Sequence, residues 1–219
     1  MRLNQFIAQA TGQSRRAADA IIEAGRVQVD GKAAHFGQVV EQSNVVTLDG
    51  QVLSLSQTHT ILLHKPVGYV CSRDGQGSKT IYHLLPKELH SLKPAGRLDK
   101  DSSGLLLLTN DGVLANKLTH PRYAKEKKYE VRLDKPLLKE DRAIIERTGV
   151  MLEDGNSRLT LAPLSQYNHW IVTMREGRNR QIRRTFAKLG YTVTTLHRTA
   201  FGDYALADLP IGTYKNIEP

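Results

Sequence analysis

The sequence predicts an α+β chain: a small N-terminal unit of two short helices plus small hairpins, then a larger unit with a mixed, largely antiparallel sheet flanked by helices. Three observations predict it. Apolar residues alternate with charged ones at Tyr129, Val131 and Leu133, as in a half-buried strand, whereas four leucines run unbroken over 105–108, as in a strand covered on both faces. Helical spacings such as that over 181–189 are interspersed with strands, without strict strand–helix–strand alternation. A polar stretch over 53–60 (Ser54, Ser56, Gln57, Thr58, His59) marks a linker, so the expected domains are 1–57 and 58–219.

In order, Leu3, Phe6 and Ile7 stand at helical spacing, and the helix ends near Thr11-Gly12. Ser14 is a good N-cap for a second helix that carries Arg15, Arg16, Ala17, Ala18, Ile21 and Ile22 and is closed by Gly25. Val27 and Val29 lead into Asp30-Gly31, and Val46 and Leu48 into Asp49-Gly50, two hairpin signals. Such a unit, about 50 residues, is near the lower limit for independent folding. Ile61-Leu62-Leu63 begins a buried strand that stops at Lys65-Pro66, because proline cannot continue a ladder. Residues 67–71 resume an extended segment, 75–78 form a loop, and 81–85 a short helix ended by Pro86. After the leucine strand and its Asn110-Asp111-Gly112 turn, Val113, Leu114 and Leu118 predict a short helix reaching His120-Pro121. Residues 136–150 read as a helix (Leu138, Ile144, Ile145) ended by Gly149, and 159–161 and 170–174 as strands. The helix over 181–189 puts Ile182, Phe186 and Leu189 on one face with Gly190 as its stop; 193–196 is a strand, and 211–214 closes the sheet.

Composition narrows the function. No run approaches the roughly 18 apolar residues of a membrane span, and the first residues lack the apolar core of a signal peptide. A single cysteine, Cys71, excludes an internal disulfide framework and a cysteine-cluster zinc site, and fits a reducing cytoplasm. Eight histidines lack ligand spacing, so no metal is expected. The net charge of +9 points to a polyanionic partner, nucleic acid before all others. Residues 1–57 hold five Lys/Arg and five Asp/Glu, so the whole excess lies beyond them. Residues 173–198 alone carry seven Lys/Arg, six of them arginine, against Glu176, a composition suited to phosphate recognition.

The loop Gly96-Arg97-Leu98-Asp99-Lys100-Asp101-Ser102-Ser103-Gly104 delivers an arginine, two carboxylates and two hydroxyls to the edge of the leucine strand. Asp99, Asp101, Ser103 and Gly104 match the first half of a calcium loop, but the twelfth position is Asn110 and the segment continues as a strand. A magnesium pair for phosphoryl transfer lacks its glycine-rich phosphate loop. The third reading has Asp99 act without metal, with a positive partner from the segment 175–184, on a nucleobase flipped onto an aromatic face. Residue types alone do not identify the reaction.

Ser14-Arg15-Arg16 together with Gly25-Arg26-Val27-Gln28-Val29-Asp30-Gly31-Lys32 resembles the alpha-L RNA-binding domain first described in a small-subunit ribosomal protein. That resemblance implies Arg15, Arg16, Arg26 and Lys32 as RNA contacts. Gly96-Arg97-Leu98-Asp99 followed by Ser103-Gly104-Leu105-Leu106 resembles the signature loop of RNA pseudouridine synthases. Lys65-Pro66, Lys125 to Tyr129 and Glu176-Gly177-Arg178-Asn179-Arg180-Gln181-Ile182-Arg183-Arg184 occur in the matching order, and the bacterial ribosomal branch of that family is the most similar. The resemblance implies a catalytic aspartate at Asp99, by attack on the sugar, attack on the base or a glycal route. It implies a base-stacking tyrosine at Tyr129 and, at Arg183, an arginine that pairs with the aspartate. Arg97 would hold the flipped nucleotide's place or its phosphate, Arg178, Arg180 and Arg184 would contact the RNA backbone, and Lys65-Pro66 would be structural. No cofactor and no metal are implied. The expected substrate is a uridine in ribosomal RNA or in a subunit assembly intermediate, with the large subunit favoured by Lys100 and Asp101-Ser102-Ser103, and the expected enzyme is a cytoplasmic monomer without a membrane partner. A catalytically silent RNA-binding assembly factor and a transfer-RNA-directed synthase are the alternatives.

Overall fold

The computed structural model describes every residue except Ser56, Ser165, Gln166, Glu218 and Pro219. The chain divides into two compact units, Met1–His59 with Asn110–Gly112, and Thr60–Thr109 with Val113–Pro219. Of the expected linker, Ser56 lies outside the described residues.

In the first unit, α1 (Leu3–Thr11) ends where Gly12 turns left-handed at φ 72°. The side chain of Ser14 accepts a hydrogen bond from the Ala17 N–H at 3.1 Å and so starts α2 (Arg15–Glu23). Four short strands, β1 (Val27–Val29), β2 (Lys32–Ala33), β3 (Val46–Leu48) and β4 (Gln51–Val52), form an antiparallel sheet in the order β2-β1-β3-β4. Both tight turns, Asp30-Gly31 and Asp49-Gly50, have positive φ at each residue, the conformation that matches the twist of a two-residue hairpin. Leu3, Ile7, Ala18, Ile22, Val27 and Val46 are buried together in a core of their own.

The second unit is built on a nine-stranded sheet. Its elements are β5 (Thr60–Lys65), β6 (Lys93–Ala95), β7 (Ser103–Thr109), α3 (Gly112–Thr119), β8 (Lys127–Leu133), α4 (Lys139–Ala143), β9 (Val150–Leu152), β10 (Gly155–Ser157), β11 (Thr160–Pro163), β12 (His169–Met174), α5 (Gln181–Lys188), β13 (Val193–Phe201), β14 (Tyr204–Ala205) and β15 (Tyr214–Ile217). The sheet order is β11-β12-β8-β13-β7-β5-β15, with β14 on β13 and β6 on β7, while β9 and β10 make a separate hairpin. Among the described residues, only the β13–β7 junction of this sheet is parallel. Strand β7 is buried along its whole length: Leu106 and Leu108 enter the main core with Val131, Val172 and Phe186, while Leu105 and Leu107 face a second core with Leu62 and Phe201. At about 1.5–3 kcal/mol for each leucine taken from water, burial fixes this strand firmly as a platform for the loop that precedes it.

Three expectations are corrected. Residues 67–71 form a turn around Gly68 (φ 90°), not an extended segment, and only Val70 makes an isolated bridge, to Thr80. The helix expected over 136–150 begins at Lys139 and widens into a π turn at Ile144–Thr148, which leaves Leu138 and Ile144 exposed and Ile145 buried. Val150 then opens the unanticipated β9–β10 hairpin. The sheet closes with Tyr214–Ile217 and not 211–214, because Gly212 (φ 79°) turns the chain and leaves Ile211 exposed.

Candidate active site

The loop between β6 and β7, the strands β8 and β13, and the segment between β12 and α5 surround a cleft of about 530 Å³. Arg97, Asp99, Tyr129, Arg178, Arg180 and Arg198 are among the residues that line it.

Buried anchors hold the Asp99 loop. Lys65, at the end of β5, is 0 % exposed, and its Nζ donates to the carbonyl oxygens of Pro66 (3.0 Å), Asp99 (3.0 Å) and Ser102 (2.7 Å). A buried ammonium with three acceptors is satisfied, and burial still pushes its pKa below the ordinary lysine value. The Ser102 N–H donates to the Asp99 carbonyl at 3.1 Å, closing the turn. The Leu98 N–H donates to the Cys71 sulfur at 3.5 Å. The loop therefore enters β7 with its main chain tied on both sides.

The carboxylate of Asp99 is 35 % exposed at the cleft, and its Oδ2 lies 3.6 Å from Nη1 of Arg180. Arg180 also makes two parallel hydrogen bonds of 3.0 Å to the carboxylate of Asp101. That pairing, before other causes, holds the Asp101 carboxyl below the usual carboxylate range and raises Arg180. The Arg183–Asp99 pair expected from the sequence is not formed. Arg183 donates to the carbonyl oxygens of Val193 (2.7 Å) and Asp101 (2.9 Å), with Nε 3.3 Å from the Asp101 carboxylate, and burial lowers its pKa. Two main-chain acceptors thus hold the Arg183 guanidinium under the loop. Arg180 reaches the carboxylates because it adopts a left-handed conformation (φ 45°, ψ 32°) just before α5. A left-handed arginine is strained, and here the strained residue stands beside the loop that carries two carboxylates into the cleft.

Tyr129 is buried on β8, with Val172 of β12 and Arg198 of β13 as its register partners. Lys127, two residues before it on the same face, lies with Nζ 5.1 Å from the centroid of the Phe201 ring. Gly104 has φ 109° at the β7–β13 junction, where a Cβ would come within 2.3 Å of the Arg198 carbonyl oxygen. Only glycine lets the two strands approach so closely.

The remaining sequence-predicted residues are distributed unevenly. Arg97 is exposed at the cleft. Arg178 donates to the carbonyl oxygens of Asp154, Gly155 and Asn156, and Arg184 makes a two-pronged pair with Asp154 at 3.0 and 2.7 Å. Both arginines therefore clamp the β9–β10 hairpin to the start of α5. Arg15, Arg16, Arg26 and Lys32 belong to the first unit. Arg15 and Arg16 are exposed at the head of α2 and Lys32 is exposed on β2, while Arg26 is paired through two nitrogens with Asp49. Asp154→Ala should lower the melting temperature by about 2–4 °C through loss of the clamp. Arg184→Ala should do the same in a thermal melt. If Arg184 instead held RNA, its loss would weaken RNA binding and leave the melt unchanged.

Sequence reading gave Lys65-Pro66 a structural role without identifying what Lys65 holds, and it did not single out Lys127, Arg198 or Phe201. A period-2 count along β13 would have flagged Arg198, a charged residue two places from the buried Leu196.

Comparison with known proteins gives a consistent picture. Residues 59–188 match the RNA pseudouridylate synthase family, and residues 1–35 match the S4 domain. The chain is 39 % identical to the ribosomal large subunit pseudouridine synthase B of Vibrio cholerae serotype O1, over 99 % of this chain and 71 % of that protein. It is 37 % identical to the protein of the same name from Escherichia coli strain K12, over 99 % of this chain and 79 % of the other. A crystal structure of a pseudouridylate synthase superposes with a TM-score of 0.72 at 32 % identity, covering 100 % of this chain and 96 % of that one.

Proposed function

This chain belongs to the RNA pseudouridylate synthase family, and on that premise we propose that it converts a uridine of large-subunit ribosomal RNA to pseudouridine with Asp99 as the catalytic carboxylate. It is an isomerase with an S4 RNA-binding domain at its N-terminus. The observation that carries the reading of the site is the placement of Asp99 and Tyr129 in one cleft. Its floor is a rigid sheet and its wall is the arginine-bearing segment before α5.

The reaction breaks the bond between N1 of the base and C1′ of the ribose and forms one between C5 and C1′. A base inside a helix is out of reach, so the target nucleotide is extruded into the cleft. Tyr129 offers the base a ring to stack on, and Asp99 stands at the ribose. Arg97, exposed at the mouth, takes a phosphate or the place left by the flipped base. Arg183 acts beneath the loop: by holding the Asp101 carbonyl it fixes the turn that presents Asp99. Arg180 supplies the cation beside the Asp99 carboxylate.

The first unit is neutral overall, so its part is to position RNA through Arg15, Arg16 and Lys32, with the affinity coming chiefly from the second unit. Removing residues 1–57 should leave the second unit folded, since its cores are its own, and should weaken or misdirect RNA engagement. Filter binding at physiological salt and mapping of the modified site check this, and unchanged site and efficiency would refute the positioning role. Large-subunit ribosomal RNA or its assembly intermediate is the partner in this reading, met in the cytoplasm by a monomer.

The direct test uses large-subunit ribosomal RNA transcribed with tritium at C5 of uridine. Isomerisation expels that tritium, so the protein should release it from this RNA and not from small-subunit or transfer RNA. Binding without release would mean a catalytically silent factor, and release from transfer RNA alone would move the substrate.

A further inference from the structure

Arg198 is 2 % exposed in the cleft. Its Nε donates to the Leu105 carbonyl oxygen at 2.8 Å, while Nη2 is buried without a hydrogen-bond partner. Among the described residues no carboxylate lies within ion-pair distance of it. Its guanidinium instead sits over the Phe201 ring, 4.9 Å from the centroid, and its charge adds to the burial that lowers the pKa of Lys127. A buried cation with an unpaired nitrogen and cationic neighbours carries a local free-energy cost. Local costs of this kind collect where function requires them.

Two other arginines of the cleft are engaged with the protein itself: Arg178 clamps a hairpin, and Arg180 faces Asp101 and Asp99. Arg198 is the register partner of Tyr129 on the neighbouring strand and of Gly104 at the head of β7, so it lies between the stacking ring and the strand that carries the Asp99 loop.

We propose that Arg198 is a catalytic residue that donates a hydrogen bond to a carbonyl oxygen of the flipped uracil and stabilises the negative charge that the base acquires. The role rests on the synthase reading above. When the N1–C1′ bond breaks, its electron pair stays with the base and spreads onto the carbonyl oxygens, leaving C1′ electron-deficient beside Asp99. C5 then supplies the pair for the new bond to C1′, the proton on C5 leaves, and N1 takes one up, so the product is an isomer of the substrate. A preorganised cation at the carbonyl oxygen favours the charged state over the bound uridine, which is the condition for acceleration.

The test is Arg198→Met, which keeps the unbranched stem and removes the guanidinium with its charge, with Arg198→Lys beside it. Single-turnover tritium release from labelled large-subunit ribosomal RNA should slow by about 100-fold in Arg198→Met, as for loss of one donor to a developing oxyanion. Arg198→Lys should recover part of that rate. RNA affinity should stay within about threefold of the wild type. A melting curve gives the folded fraction of each variant, so that the rate is compared per folded molecule, since Arg198→Met also gives up the bond to the Leu105 carbonyl oxygen. A purely structural arginine predicts a rate that falls only as far as the folded fraction does, and that result, or an unchanged rate in Arg198→Met, would overturn the role. Absence of release by the wild-type protein would instead overturn the synthase reading itself, and the role with it.

Discussion

Asp99→Asn is expected to abolish tritium release from large-subunit ribosomal RNA, by at least about 10³-fold, with folding and RNA affinity retained. The carboxylate can be changed without disturbing the loop because the anchors grip main-chain atoms: Lys65 and the Ser102 N–H both hold the Asp99 carbonyl oxygen. Arg180 keeps its two bonds to Asp101 in the variant, so no arginine is left stranded. The amide has the size and much of the polarity of the carboxylate but neither its charge nor its nucleophilicity. A melting curve and a binding isotherm separate lost chemistry from lost structure. Residual turnover within tenfold of the wild type would remove Asp99 from its role.

Gly104→Ala is expected to be strongly destabilising to the second unit. The added carbon would lie 2.3 Å from the oxygen and 2.5 Å from the nitrogen of the Arg198 backbone, and φ 109° is a conformation that alanine rarely adopts. Neither strand can yield cheaply, since β7 is buried along its length and β13 carries β8 on its other side. Overpacking and backbone strain together should cost roughly 3–5 kcal/mol, read as a lower denaturation midpoint in urea. Gly112→Ala is the control: it opens α3, no heavy atom stands within 4 Å of its added carbon, and its midpoint should move little.

Local rules carried the sequence reading far. The cap at Ser14, the Asp-Gly hairpins, the alternation at Tyr129, Val131 and Leu133 and the four leucines each depend on near neighbours in the chain, and all have the form expected. What failed depends on distant partners. Nothing near Arg183 in sequence says that Val193 and Asp101 carbonyls will capture it, so its pairing with Asp99 could not be judged before the sheet was assembled. Arg178 and Arg184 read as part of one basic run because the acid that engages them, Asp154, sits in a hairpin the helical spacing of 136–150 concealed. Arg198 looked like one more positive charge, and only the burial of β13 sets it apart. The leucine strand was read correctly for the same reason that its loop was hard to read: apolar burial is written locally, whereas ion pairing is a property of the packed chain.

The single parallel junction of the sheet has a temporal side. β7 lies between β5, which precedes it, and β13, which is among the last strands to be synthesised. During translation the Asp99 loop can be anchored by Lys65 long before the strand bearing Arg198 leaves the ribosome. The four-stranded sheet of the first unit pairs strands close together in the chain, a topology that closes early, whereas the β7–β13 pairing joins distant segments and closes late. In that order the N-terminal unit can form while the cleft still lacks the wall that β13 supplies.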